Sequence, residues 1–212
     1  MFRLVVFDLD GTLIDSAGAI MKSINVTFSE IGLGPYEWER DIVRFFGKPF
    51  EEWAKTLLKE AGKYSGGNVE RISNKMWDNY AKIGVKHAKL MPGTLEALEA
   101  LKKRGIKLAV ATNMRSRHAK VFFSHFGLGK YFEKVCTVSD VGKGKPHPEQ
   151  LERIMKDTGF ERNETLMVGD SKSDLEFARN SGVKLALLDS RWNKGLKPDY
   201  RIKKLKELPE II

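Results

Sequence analysis

Leu4-Val5-Val6-Phe7-Asp8-Leu9-Asp10-Gly11-Thr12-Leu13 is the stretch on which the fold turns. Its first four residues are apolar without alternation, the pattern of a strand buried on both faces in a parallel sheet. The strand runs straight into two acids, Asp8 and Asp10, which share a face in an extended chain. Gly11 frees the backbone for a sharp turn or a close approach to an anion. Similar unbroken runs recur at Leu108–Ala111, Leu166–Val168 and Leu185–Leu188, with a weaker strand-like stretch at Lys134–Val138. Helical periodicity lies between them. One helix opens near Pro92, passes through Leu95, Leu98 and Leu101, and closes at Gly105. Another runs from Pro148 through Leu151, Ile154 and Met155 to Gly159. A third is capped by Ser171, runs through Leu175 and Ala178, and ends at Gly182. Strand alternating with helix predicts an α/β, doubly wound parallel sheet.

Residues 16–90 break the alternation. Amphipathic segments carry Ile20, Ile24 and Phe28, then Ile42, Phe45 and Phe46, then Trp53, Leu57 and Leu58, then Ile72, Met76, Trp77, Tyr80 and Ile83. Breaks fall at Gly32, Gly34-Pro35, Gly47, Pro49, Gly62 and Gly66-Gly67. The expected organisation is an α/β core of residues 1–15 and 91–212, with an inserted all-helical cap of about four helices at 16–90. Trp38, Trp53 and Trp77 are expected in the cap's own core. Ile202, Leu205, Leu208, Ile211 and Ile212 predict a packed C-terminal end.

Composition narrows the classes. The chain has 212 residues, enough for a substantial core, and Lys and Arg outnumber Asp and Glu by 37 to 28. The two signs are interspersed, as on solvated helix surfaces, so the net charge of +9 alone is no nucleic-acid stripe. No apolar run spans a bilayer, and Asp8 and Asp10 interrupt the N-terminal run too early for a signal peptide. One cysteine, Cys136, excludes an intrachain disulfide and a structural zinc held by several thiolates. The expectation is a soluble cytoplasmic protein, with Cys136 a small buried residue.

The polar groups gather at strand ends. Thr112-Asn113 follows the Leu108 strand, and Asp170 follows the Leu166 strand with Asp174 one helical turn on. Convergence of these ends would bring Asp8, Asp10, Asp170 and Asp174 together, an arrangement unfavourable without a cation. Hard oxygen donors favour Mg²⁺. Lys145, in Gly144-Lys145-Pro146-His147-Pro148, adds a fixed positive charge from a fourth loop.

Asp8-Leu9-Asp10-Gly11-Thr12, Thr112, Lys145 and Gly169-Asp170-Ser171-Lys172-Ser173-Asp174 resemble the four ordered motifs of the haloacid dehalogenase superfamily. Within it the chain resembles the capped phosphatases of the phosphoglycolate phosphatase type. The resemblance implies an Mg²⁺-dependent hydrolase of small phosphomonoesters with Asp8 as nucleophile. Asp10 would protonate the leaving group and later deprotonate water, with its backbone carbonyl on the metal. Asp8 and Asp170 would give side-chain oxygens to Mg²⁺, and Asp174 would hold a metal-bound water or orient Lys145. Thr112 would donate its hydroxyl to a phosphoryl oxygen, helped by the backbone N–H groups of Gly11 and Asn113, and Lys145 would offset charge.

The acid at Asp10 separates phosphate chemistry from the dehalogenase and phosphonate branches, which lack it. The hexose-phosphate mutases retain it and form the alternative. A basic nucleic-acid-binding or scaffolding protein with a vestigial site is the remote one. The expected partner is a small phosphorylated metabolite, with no nucleic acid and no membrane, and the chain a monomer or homodimer. Phosphoglycolate leads among substrates, with sugar phosphates, nucleotides and pyrophosphate open. Lys48 or Arg44, in the cap, would meet a second anionic group of the substrate or belong to a solvated surface. Asn113 could also contact substrate through its side chain. Ser16 reads as a helix N-cap. His87, His118, His125 and His147 show no ligand spacing.

Overall fold

The computed structural model describes residues 1–45, 48, 50–190 and 192–212. Phe46, Gly47 and Pro49, an expected apolar position and two expected breaks, lie outside the described residues. The chain divides into two compact units, Met1–Asp15 with Leu90–Ile212, and Ser16–Lys89.

Strand β1 (Leu4–Phe7) is followed by the Asp8–Leu13 loop and a two-residue strand, β2 (Ile14–Asp15). The inserted unit holds α1 (Ala17–Ser29), α2 (Phe50–Glu60) and α3 (Gly66–Lys82). The short β3 (Lys89–Leu90) pairs with β2 where the chain returns. Alternation then begins with α4 (Thr94–Lys103), β4 (Lys107–Thr112), α5 (Ser116–Phe126) and β5 (Lys134–Thr137). It continues with α6 (Glu149–Thr158), β6 (Thr165–Gly169), α7 (Lys172–Ser181) and β7 (Lys184–Leu188). β8 (Tyr200–Ile202) and α8 (Leu208–Ile211) complete the chain.

The larger sheet has the order β5-β4-β1-β6-β7-β8, and every pairing in it is parallel. Phe7 lies in register with Val110 on one side and Val168 on the other. β1 is therefore central, and the chain leaves it first toward β4 and β5, then toward β6 and beyond. This reversal of direction opens a crevice at the carboxyl ends of β4, β1 and β6. All four residues of β1 are buried, which explains its lack of alternation. Leu4 and Val6 join Leu151 and Ile154 of α6 and Leu175 and Phe177 of α7 in one cluster. Val5 and Phe7 face the other way, where Phe7 meets the edge of the Phe132 ring at 6.3 Å.

Several expectations need correction. The insertion has three α-helices among the described residues rather than about four. Trp38–Ile42 is one π-helical stretch and Val43–Phe45 a 3₁₀ turn, and neither continues as a regular α-helix. Leu95 is exposed rather than on the packed face of α4, which is formed by Ala97, Leu98 and Leu101. Ser16 occupies the N-cap position of α1, but its backbone is not extended and its buried hydroxyl finds no partner among the described residues. At the C-terminus Ile202, Leu205 and Leu208 are buried, while Ile211 and Ile212 are only half-buried. Within the inserted unit an aromatic cluster carries the packing. Phe50 lies 4.4 Å from Trp77, 5.2 Å from Trp53 and 5.7 Å from Tyr80, measured between ring centroids. Trp38 is half-buried, unlike Trp53 and Trp77.

Candidate active site

Asp8 follows the last residue of β1, and its backbone N–H donates to the Val168 carbonyl at 2.8 Å. That bond extends the β1–β6 ladder by one residue and fixes where the side chain begins. Asp170 follows β6 directly, and Asp174 lies in the first turn of α7. Among the described residues, Asp8, Asp170 and Asp174 each offer a carboxylate oxygen within 4.8 Å of the others, and all three are buried. The Asp10 carboxylate is not in that group. It lies near enough to disfavour a charge on Asp8.

Lys145 enters from the loop before α6 and is itself buried. Its Nζ donates to Asp8 Oδ1 at 2.5 Å and to Asp174 Oδ1 at 2.7 Å. The second oxygen of Asp174 accepts three bonds, from the N–H of Asp170 and the N–H and hydroxyl of Ser171. Ser171 in turn caps α7 by accepting the Asp174 N–H. One capping box thus orients the carboxylate that holds the lysine. Asp170 is braced separately, by the Thr12 hydroxyl at 3.0 Å and the Trp192 indole at 3.4 Å on its side chain, and by the Asn193 amide on its carbonyl at 2.8 Å.

Three acids face one ammonium, and the charges show the imbalance. Burial raises the Asp8 carboxyl to about 7 although Lys145 pulls it down. Burial, then Asp174 and Asp8, raise Asp170 well above the ordinary carboxylate range. Burial alone would lower the Lys145 amine, but Asp174 and Asp8 outweigh it and raise it. A compact set of hard oxygens with uncompensated negative charge suits Mg²⁺. Asp8 and Asp170 fit best as side-chain ligands, because Asp174 is the most heavily engaged, with the Lys145 ammonium on one oxygen and three donors on the other, whereas Asp170 has a single neutral donor on each oxygen, at 3.0 and 3.4 Å.

Gly11 stands in the left-handed region at φ 86°, and a Cβ there would collide with the Asp170 carboxylate. Its N–H donates to the Ile14 carbonyl at 2.7 Å. The expected use of that N–H on a phosphoryl oxygen is therefore corrected: the loop's own turn takes it. Thr112 ends β4 and is buried. Its Oγ1 accepts the Met114 N–H at 3.1 Å and keeps its own proton to donate. The Asn113 side chain, an expected candidate for a substrate contact, engages the main chain of Lys145. Its Nδ2 donates to the Lys145 carbonyl at 3.0 Å and its Oδ1 accepts the Lys145 N–H at 2.8 Å.

Lys48 lies in the inserted unit, exposed, with Glu52 at 3.8 Å. Arg44, in the same unit, pairs with Glu60 at 2.7 Å and donates to the Asp41 carbonyl. Burial raises the Cys136 thiol to about 11, leaving it inert as expected. Of the histidines only His118 is buried, with Arg117 donating to its Nε2. Thr12, Gln150 and Asn193 were not legible as supports. Thr12 stood inside the quoted motif, Gln150 is the chain's only glutamine, and nothing distinguished Asn193.

A family model described as haloacid dehalogenase-like hydrolase matches residues 5–188. A pyrophosphatase PpaX of Halalkalibacterium halodurans is 31% identical over 98% of this chain and 95% of its own length. A phosphoglycolate phosphatase of Aquifex aeolicus is 32% identical, covering 87% of this chain and 84% of that one. A crystal structure of a predicted phosphoglycolate phosphatase from Haemophilus somnus superposes with a TM-score of 0.88 at 25% identity. It covers 99% of this chain and 97% of that one.

Proposed function

The chain belongs to the haloacid dehalogenase-like hydrolases, and from that membership we propose that it is an Mg²⁺-dependent phosphatase working through a phosphorylated Asp8. One observation carries the reading. Three buried carboxylates and a buried ammonium meet at the carboxyl ends of adjacent parallel strands. A set of structural ion pairs would not concentrate so much unbalanced charge in one place.

In the proposed reaction an Asp8 oxygen attacks phosphorus as the bond to the leaving oxygen breaks, and Asp10 gives that oxygen a proton. Water then attacks the phosphorus of the acyl phosphate. Asp10 takes the proton, inorganic phosphate departs, and Asp8 is restored. Lys145, held by Asp174, stays charged throughout and offsets the charge of the transferring group. The Thr112 hydroxyl donates to a phosphoryl oxygen. Mg²⁺, when bound by Asp8 and Asp170, supplies a Lewis acid and neutralises negative charge.

Phosphoglycolate and pyrophosphate are the leading substrates, the second favoured by the nearly full-length similarity to the Halalkalibacterium halodurans pyrophosphatase. Phosphate release from phosphoglycolate, pyrophosphate and a sugar phosphate, with Mg²⁺ and with EDTA, tests the reading. The expected result is release in Mg²⁺ only, lost in Asp8→Asn. Release that survives Asp8→Asn, in a sample checked for deamidation, would overturn it, as would silence on every substrate.

A further inference from the structure

Two side-chain amides beside the site are spent on main chain rather than on each other or on solvent. Asn113 follows Thr112 at the end of β4, and its side chain engages both the N–H and the C=O of Lys145. Gln150 lies in the first turn of α6, and its Nε2 donates to the Thr112 carbonyl at 2.8 Å and the Cys136 carbonyl at 3.1 Å. The strand end 112–113 and the segment 145–150 therefore each lend one amide to the other's backbone.

The Asn113 pairing has the two-bond pattern of a neighbouring strand, made where β4 has stopped. Gly144 makes room for it, since a Cβ there would strike the Asn113 side-chain oxygen, Oδ1. Gln150 is fully buried, yet its Oε1 meets no partner among the described residues. An unmet buried acceptor is unfavourable, so the two bonds from Nε2 must outweigh it. Turning the amide over would set that oxygen against two carbonyls, so its orientation follows from its partners. The Gln150 amide thus bridges the carbonyl of Thr112, the last residue of β4, and that of Cys136, the last but one of β5, which lies in register with Ala111.

We propose that Asn113 and Gln150 form a reciprocal clasp that sets the Lys145 ammonium and the Thr112 hydroxyl at a fixed spacing across the phosphoryl site. They are positioning residues and do not touch substrate. The proposal rests on the phosphatase reading and adds to it which residues set the geometry. Holding charged and hydroxyl donors in place before reaction is what phosphoryl transfer asks of a protein.

The test uses the full chain with Asn113→Ala, Asn113→Asp and Gln150→Met. Turnover of p-nitrophenyl phosphate with Mg²⁺ is measured well below each melting temperature, beside nitrogen NMR of the lysine ammonium groups. The expected result for Asn113→Ala and Gln150→Met is a fall in kcat of roughly tenfold to a hundredfold, with KM within about threefold. The Lys145 ammonium signal should move in both. Asn113→Asp keeps the acceptor for the Lys145 N–H and should recover part of kcat, and it replaces Asn113→Ala if that variant does not fold. The double variant should lose less than the product of the single losses. Folded variants with kcat within twofold of wild type would overturn the proposal, leaving the amides structural only. A raised KM with kcat unchanged would also overturn it, by making Asn113 a substrate contact. If wild type itself releases no phosphate, the phosphatase reading fails, and an unmoved Lys145 signal in the variants separately overturns the clasp.

Discussion

Gly169 leaves no room for a methyl group: a Cβ there would strike the Asp174 side chain. Gly169→Ala should therefore push Asp174 off Lys145 and lower kcat by at least roughly tenfold. Gly67→Ala, where nothing lies within 4 Å, should leave turnover unchanged. Steady-state kinetics on the pair checks this. Asp8 supplies a second prediction. Its folded carboxyl is raised to about 7 from an ordinary 3.8, so the folded state keeps a proton that the unfolded chain has released. Metal-free stability from this group is complete below pH 4 and is lost as pH rises toward 7. Asp8→Asn lacks the penalty, and its melting temperature should gain on wild type across that window, by an equivalent on the order of a few kcal/mol. Melts at pH 4, 5, 6 and 7 check it, and a constant gap would contradict it. Asp8 and Asp170 were legible because each follows an apolar run at a strand end, and Lys145 because it stands between Gly144 and Pro146 in a loop that resembles a family motif. Gln150 and Asn193 were not, because a neutral amide bonded to a distant carbonyl leaves no local pattern.

At the scale of elements, α7 is both scaffold and part of the site. Its capping box joins Ser171 to Asp174 in both directions, so helix start and lysine orientation share the same bonds. Ser171→Ala should lower stability by about 1 kcal/mol and lower kcat as well, while Ser171→Thr restores most of both. Thermal melts with kinetics check this, and a stability loss with kcat unchanged would separate cap from site. The helix ends at Gly159 and Gly182 and the capping Ser171 were readable, since left-handed closure and capping have few suitable residues. β8 was not, because three residues, Tyr200-Arg201-Ile202, show too little of any period. Its place at the sheet edge comes from pairing with β7, a tertiary fact. The irregular turns at Trp38–Phe45 were misread as helix for a related reason: apolar spacing records which face is buried, not how the backbone is wound.

For the whole molecule, the doubly wound core was legible because unalternating strands separated by helices admit few arrangements. The sheet order was not, since sequence proximity does not say on which side of β1 a later strand docks. Every carboxylate of the cluster belongs to the α/β unit. Trp77→Ala, in the aromatic core of the inserted unit, should cost about 3–5 kcal/mol of that unit's stability while leaving Mg²⁺ affinity of the folded protein unchanged by calorimetry. The account's central claim is that the crevice arms Asp8 to take a phosphoryl group, and trapping that adduct tests it most directly. Asp10→Asn, which keeps the first step for a leaving group that needs no proton and is slowed in the second, is mixed with p-nitrophenyl phosphate and Mg²⁺, quenched in acid, digested and mapped by mass spectrometry. The account predicts a phosphoryl group on Asp8. Phosphate release in the same variant with Asp8 unmodified at every time point, or the group found on another residue, would contradict it.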